Sequence, residues 1–143
     1  MAEPSLECVV VDWDSERRTL EAIRRAVFIE EQKIAEPDEW DGEDAGSLHV
    51  LALLNRDPVG TGRLNAAGKI GRIAVLASRR GHGIGTQILR RLLDEARRLG
   101  IRETYLHAQV QALPFYEKLG FERKGQEFDE AGIPHVRMSL VLE

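Results

Sequence analysis

Three glycines on alternate positions, Gly81, Gly83 and Gly85, form the segment of this sequence that is best suited to binding chemistry. The segment lies between a predicted strand and a strongly amphipathic predicted helix. Without side chains, the backbone can turn so that successive N–H groups point at one anion, and the helix start adds unpaired N–H groups. Arg80 adds a positive charge and Thr86 a hydroxyl group. The segment therefore predicts a phosphate or diphosphate site; a glycine-rich turn that only packs tightly is the alternative.

The two common nucleotide-binding motifs do not fit this segment. A Walker loop requires a Lys followed by Ser or Thr after its last glycine, and no Lys is present. A Rossmann G-x-G-x-x-G pattern would require glycine at Thr86 or at Ile88. The pattern that fits is R-x-x-G-x-G, formed by Arg80, Gly83 and Gly85.

The spacing of apolar residues predicts the elements that must position this loop. Asp14 or Ser15 is expected to cap the first helix, and the acidic stretch 36–44 is expected to be a loop. A helical stripe over 84–99 follows the glycines, with Gly100 as its C-cap. The predicted order is β-α-β-β-β-α-β-α-β-β, with strands at 8–11, 48–54, 59–64, 70–76, 104–108, 121–128 and 136–142.

On two motifs in this order, the sequence resembles the GNAT superfamily of acetyl-CoA-dependent N-acetyltransferases. The first is the R-x-x-G-x-G loop after the strand Ile73-Ala74-Val75. The second is ALPFYEKLGF at 112–121, which is similar to the A-x-x-F-Y-x-x-x-G-F segment of the family's last helix and the strand after it. The segments FIEEQ at 28–32, EWDG at 39–42 and GIPH at 132–135 are similar to the ElaA-like branch of that superfamily.

The resemblance covers nearly the whole chain and implies one N-acetyltransferase domain over residues 1–143. The implied fold is α/β (α+β), the GNAT acyl-CoA N-acyltransferase fold. It has a mixed, mostly antiparallel sheet of about seven strands, flanked by helices. Strands four and five splay apart and leave a slot for the cofactor.

The resemblance also implies an acetyl-CoA site. Backbone groups of the fourth strand are expected to pair with the pantetheine arm, and N–H groups of the glycine loop to hold the diphosphate. Gln109 stands where many relatives have an Asn that contacts the cofactor. The implied cofactor-binding residues are Ile73, Ala74, Val75, Arg80, Gly81, His82, Gly83, Ile84, Gly85, Thr86 and Gln109.

The implied reaction is direct attack of an amine on the thioester within a ternary complex. Tyr116 is expected to protonate the departing thiolate; the alternative is a half-buried aromatic on the core face of its helix. The group that accepts the amine's proton is left open. The candidates for the base or the acceptor site are Glu30, Glu31, Glu39, Asp41, His49, His107 and His135, and Trp40 either walls an acceptor pocket or anchors its loop.

The distribution of charge supports two partners of opposite sign. The formal net charge is −4, yet acidic residues dominate as far as Gly46 and arginines dominate from Arg72 to Arg102. This asymmetry favours an anionic partner near the middle of the chain and a cationic one near its start. The acidic stretch 36–44 is expected to attract a cationic amine, whether a small molecule or a protein lysine, unless it is only an exposed polar loop.

Several function classes are disfavoured by what the sequence lacks. The acidic stretch fails the EF-hand pattern and no His/Cys spacing suggests zinc, so no metal site is expected. There is no apolar run of membrane-spanning length and no secretory signal in residues 1–5, so a cytoplasmic protein is expected. The overall acidity disfavours nucleic-acid binding. A non-catalytic acyl-CoA sensor on the same fold is the main alternative, and a homodimer is left open.

Overall fold

The computed structural model describes residues 5–143. Residues 1–4, part of the segment in which no secretory signal is found, lie outside it. The strands are β1 (Leu6–Val11), β2 (Leu48–Leu54), β3 (Asp57–Leu64), β4 (Ile70–Val75), β5 (Glu103–Gln109), β6 (Glu122–Arg123), β7 (Phe128–Glu130) and β8 (Ile133–Val141). The helices are α1 (Trp13–Arg24), which continues as a π-helical segment (Arg25–Glu31), then α2 (Glu36–Glu39), α3 (Ile84–Arg98) and α4 (Leu113–Lys118). Short 3₁₀ turns lie at Asp44–Gly46, Ala77–Arg79 and Val110–Ala112.

The strands form two antiparallel sheets that separate between β4 and β5. The first sheet has the order β1-β2-β3-β4, and the second has the order β5-β8-β6 with β7 also paired to β8. One parallel bridge, Lys69 with Tyr105, joins them before β4 begins, and the N–H of Tyr105 donates to Gly68 O at 3.0 Å. The predicted fold, with a sheet splayed at strands four and five, is confirmed.

The position of α3 is set by close packing on β3. A Cβ at Gly60 would lie 2.8 Å from Ile88 Cδ1, and one at Gly62 would lie 2.8 Å from Leu92 Cδ1, so both sites exclude a side chain. The apolar stripe of α3 is buried on this face, and Leu20, Ile23, Val27 and Phe28 of the first helix are buried on the other. This packing places the start of α3 at the end of β4.

The first helix begins earlier than predicted. Its N-cap is Asp12, not Asp14 or Ser15, because Asp12 is extended at the end of β1 and its Oδ2 accepts the N–H of Ser15 at 3.1 Å. Trp13 can therefore be the first helical residue and is buried. At the end of the α3 stripe, Leu99 is 53% exposed, so the prediction that it belongs to the apolar face is wrong.

Two other boundaries also differ from the prediction. The single strand expected over 121–128 is two short strands, β6 and β7, because the chain turns between them at Gly125, which has φ +89°. The stretch 36–44 is not purely loop, since Glu36–Glu39 forms one helical turn with Pro37 in its first positions, where proline is tolerated. Among residues 5–143, no helix is both long and apolar enough to cross a membrane.

Candidate functional site

Among residues 5–143, the gap between the sheets leaves the outer edge of β4 without a neighbouring strand beyond the Lys69–Tyr105 bridge. The N–H of Leu76 donates to Val59 O on β3 at 2.9 Å, and successive residues of a strand point their N–H groups in opposite directions. The N–H of Val75 therefore points into the gap. An extended ligand with amide groups could pair with this edge as an added strand does.

A bulge interrupts β4 just before this edge. Thr61 pairs with Ala74 and Arg63 with Gly71, so Arg72 and Ile73 together oppose Gly62. Arg72 has φ +52°, which is unusual for a residue with a side chain. Its guanidinium donates to the backbone oxygens of Asp38 at 3.2 Å and Glu39 at 3.0 Å, so the bulged residue is bound to the acidic stretch.

The glycine loop forms an open cradle at the end of β4. Gly81 (φ +86°) and Gly83 (φ +74°) have left-handed backbone conformations, and a Cβ on either would meet no atom within 4 Å. Gly83 is the N-cap of α3, and no side chain caps that helix start. The loop therefore exposes free N–H groups at the positive end of a 15-residue helix, an arrangement that fits a phosphate group.

Arg80 is engaged by a carboxylate from the first helix. Its Nη2 lies 2.6 Å from Glu31 Oε1, its Nη1 contacts the other oxygen, and its Nε donates to Val75 O at 3.0 Å. The hydrogen bonds from Arg80 lower the pKa of the Glu31 carboxyl. Glu31 is therefore the ion-pair partner of Arg80, and a phosphate that used Arg80 would have to displace it.

A cavity of about 470 Å³ lies beside the gap. It is bounded by the end of the first helix, the acidic stretch, the bulge of β4, the end of β5, α4 and the β7–β8 hairpin. Its lining includes Phe28, Gln32, Asp38, Glu39, Asp41, Lys69, Arg72, Ile73, His107, Gln109, Tyr116, Glu130 and His135. Four of the eight predicted substrate or base residues thus meet Tyr116 in one place, whereas Glu30, Glu31, Trp40 and His49 do not line this cavity.

Tyr116 projects from α4 into this cavity. Its ring packs edge-on against Phe115 at 5.0 Å and Phe121 at 5.9 Å between centroids. Within residues 5–143, its hydroxyl has no hydrogen-bond partner, and burial raises the pKa of Tyr116 to about 12. The side chain is therefore neutral near pH 7 and has a proton to donate.

The acidic stretch is largely neutralised by arginines. Arg24 Nε lies 2.6 Å from Glu39 Oε2, and Arg24 Nη1 lies 2.6 Å from Asp44 Oδ1. Arg63 contacts Asp41 at 2.7 Å and Asp44 at 3.0 Å. Arg72 adds ion pairs to Glu39 and Asp41, each at 3.2 Å. The expectation that this stretch presents free negative charge to an amine is therefore wrong for Glu39, Asp41 and Asp44.

Two predicted site residues serve this ion network instead of the cavity. Trp40 lies between Arg24 and Arg25, whose guanidinium carbons are 5.1 Å and 5.7 Å from its ring centroid, so it anchors the loop. His49 is 1% exposed, stacks on Trp13 at 5.0 Å and has Nε2 2.9 Å from Asp44 O. Burial lowers the pKa of His49, so it is a neutral structural histidine.

At the end of β5, Gln109 is tied to other amides. Its Nε2 donates to Gln32 Oε1 at 2.8 Å, and Gln111 Nε2 donates to its Oε1 at 2.6 Å. The two residues Glu31 and Gln32 thus connect the first helix to both sides of the gap, through Arg80 and Gln109 respectively. Glu30, next to them, is exposed.

Sequence reasoning missed several residues of the cavity. Gln32, Lys69, Arg72 and Glu130 were not predicted, although Glu130 contacts two of the predicted histidines. No group of three or more His, Cys, Asp or Glu side chains in the described part of the chain is arranged to hold a metal ion.

The Asp41–Arg63 pair predicts a pH dependence of stability. Burial alone would raise the pKa of the Asp41 carboxyl, but hydrogen bonds from Arg63 and the N–H of Glu43 lower it well below its usual range. Because the folded-state pKa is lowered, the stabilisation is complete above the unfolded pKa of about 3.9 and is lost as the pH falls below it. We expect Asp41→Asn to lower the free energy of unfolding by about 1 to 2 kcal/mol near pH 6, with a difference that shrinks below about pH 4.

Urea unfolding over that pH range measures this difference. Asp57→Asn is the matched control, because Asp57 is exposed and has no ion pair among residues 5–143. A difference between wild type and Asp41→Asn that stays constant down to about pH 2 would contradict the assignment.

The fold agrees with that of the proteins to which this chain is similar. A family described as an acetyltransferase (GNAT) domain matches residues 19–142. The chain belongs to the GNAT acetyltransferase family. It is 43% identical over 123 residues to YyaT of Bacillus subtilis (strain 168), covering 82% of this chain and 83% of that protein.

The ElaA-like branch is also supported. ElaA of Escherichia coli (strain K12) is 30% identical over 126 residues, covering 82% of each chain. The crystal structure of Escherichia coli ElaA matches with a TM-score of 0.84 over 94% of this chain and 99% of that one, at 27% identity. An acyl-CoA N-acyltransferase from Pseudomonas aeruginosa matches with a TM-score of 0.85 at 30% identity, over 94% of this chain and 99% of that one.

Proposed function

We propose that this GNAT protein transfers the acetyl group of acetyl-CoA to an amine by direct attack within a ternary complex. One observation carries the proposal. The unpaired edge of β4 connects the open cradle of the glycine loop at one end to the Tyr116 cavity at the other. A ligand that lies along this edge would place its diphosphate in the cradle and its thioester beside the cavity.

The residues present fit coenzyme A. Backbone groups of Ile73, Ala74 and Val75 would pair with the amide-bearing arm, and the N–H groups over 81–86 would hold the diphosphate. Arg80 would contact a phosphate after releasing the Glu31 carboxylate. A contact from Gln109 would require it to leave Gln32, so we assign it no primary role.

The chain's own groups supply the remaining chemistry. At the cavity end of β4, a backbone N–H on the open edge would donate to the thioester oxygen as negative charge develops on it, while the N–H of Val75, near the glycine loop, would pair with the pantetheine arm. Tyr116 would give its proton to the sulfur as the C–S bond breaks, so that the thiol and not the thiolate leaves. The amine enters from the cavity, whose wall of paired arginines and carboxylates is polar without a strong net charge.

A thiol-release assay with acetyl-CoA tests this proposal. The amine panel contains a polyamine, an aminoglycoside, a set of amino acids and a lysine peptide, and a reaction without amine measures hydrolysis. We expect amine-dependent release of one thiol for each N-acetyl group formed, detected by mass spectrometry. Acetyl-CoA binding without turnover on any amine would favour the sensor alternative, and absence of binding would overturn the proposal.

A further inference from the structure

Three polar side chains meet at the wall of the cavity opposite the acidic stretch. His107 projects from β5, Glu130 lies at the end of β7 and His135 lies on β8. His107 Nδ1 is 2.9 Å from Glu130 Oε1, and His135 Nε2 is 3.7 Å from Glu130 Oε2. The β7–β8 hairpin pairs Glu130 with Ile133, which holds the carboxylate between the two rings.

The contact with Glu130 determines which nitrogen of His107 carries the proton. Burial alone would raise the pKa of the Glu130 carboxyl, but the hydrogen bond from His107 lowers it, so the group is a carboxylate. A carboxylate only accepts hydrogen bonds, so Nδ1 of His107 must be the donor. In the neutral ring, Nε2 then carries a lone pair, and within residues 5–143 it has no hydrogen-bond partner.

Aromatic packing holds the ring in this orientation. Phe128 meets His107 edge-on, with 5.0 Å between ring centroids and an interplanar angle of 83°. The side chain of His107 is 23% exposed, so it is accessible from the cavity while being fixed on one side. Orientation of an imidazole by a carboxylate on Nδ1 leaves Nε2 as the natural proton acceptor.

The other predicted bases are less suitable. Glu31 and Asp41 are bound to Arg80 and Arg63. His135 is 6% exposed, and its Nδ1 is 2.7 Å from the backbone oxygen of Ile133. Of the seven residues that the sequence suggested as bases, His107 combines access to the cavity with a free, oriented nitrogen.

We infer that His107 is the general base of the acetyl transfer and that Glu130 is its positioning residue, an inference that rests on the proposed function. As the amine nitrogen forms its bond to the carbonyl carbon, it loses a proton to His107 Nε2. The C–S bond breaks with its electron pair on sulfur, which takes the proton of Tyr116. His107 then releases its proton to solvent and Tyr116 regains one, so each turnover forms one amide and one thiol.

Replacing His107 tests the catalytic role. We expect His107→Gln to lower kcat about 100-fold with little change in the Kd for acetyl-CoA, and to remove the acidic limb of the pH–rate profile. Added imidazole should restore part of the activity of His107→Ala. Thermal unfolding shows whether each variant is folded.

Replacing Glu130 tests the positioning role by a property that a purely structural residue would not change. We expect Glu130→Gln to lower kcat about 10-fold with an unchanged KM for the amine, because the imidazolium that forms during the reaction loses its carboxylate partner. The other titratable or charged groups around His107 are His135 and Arg137 on β8, Lys69 before β4, and Tyr105 on the same strand.

The matched control for Glu130→Gln is Asp129→Asn, which removes the same charge from the neighbouring exposed residue of β7. This variant should leave kcat and the pH–rate profile unchanged.

The outcomes separate this inference from the proposed function. A wild-type protein that acetylates an amine, together with a folded His107→Gln that keeps its kcat, would overturn the assignment of the base and leave the transferase proposal intact. A folded Glu130→Gln that keeps its kcat would overturn the role of Glu130. A wild-type protein without turnover would overturn both proposals.

Discussion

Gly83→Val is expected to weaken acetyl-CoA binding about 100-fold or more, the largest effect that we predict for a single side chain. The added branched side chain would occupy the open space of the cradle, where a Cβ on Gly83 would meet no atom of the protein within 4 Å. A left-handed backbone also costs a residue with a side chain about 1 to 2 kcal/mol, so the loop would tend to change its shape. Both effects withdraw the N–H groups at the start of α3 from the diphosphate.

Isothermal calorimetry with acetyl-CoA measures this loss, and the chain provides a matched control. Gly125, in the turn between β6 and β7, has φ +89° and the same open surroundings as Gly83, but it lies outside the loop. Gly125→Val should therefore show a similar loss of stability in urea and an unchanged affinity. Unchanged affinity in a folded Gly83→Val would show that the diphosphate binds elsewhere.

Tyr116→Phe is expected to lower kcat about 100-fold while the Kd for acetyl-CoA stays within a factor of about two. Phenylalanine keeps the ring that packs against Phe115 and Phe121. Since the hydroxyl has no protein partner within residues 5–143, its removal should leave the free energy of unfolding nearly unchanged. The only function lost is the donation of a proton to the departing sulfur.

Steady-state kinetics and calorimetry on the same preparation separate these quantities. Because the pKa of Tyr116 is raised to about 12, the wild type should keep its acid in the active form throughout the neutral range, and activity controlled by this group should fall only at strongly alkaline pH. Tyr105→Phe is the control, since that ring, on β5, packs against Arg137 of β8 and does not line the cavity. An unchanged kcat in Tyr116→Phe would leave Tyr116 as a packing residue only.

The features that depend on neighbouring residues along the chain could be predicted from the sequence. Glycines at 81, 83 and 85 indicated a loop whose backbone can turn without a steric penalty, and Gly81 and Gly83 do adopt positive φ. The stripe from Ile84 to Ala96 indicated the helix, because one face of a helix recurs every three or four residues. The fold class, the order of elements and the family resemblance followed from such local signals and their sequence motifs.

Which charged and polar groups have a partner and which are accessible to a ligand depends on the tertiary structure. Arg24 and Arg63 carried no local sign that they would neutralise Asp44, from which they are 20 and 19 residues away. Arg80 meets Glu31 across 49 residues, and His107 meets Glu130 across 23, through the register of β7 on β8. Contacts of this kind depend on strand register and on helix packing against the sheet, which no periodicity along the chain encodes. For this reason the cofactor loop was visible in the sequence, whereas the choice among seven candidate bases needed the folded arrangement.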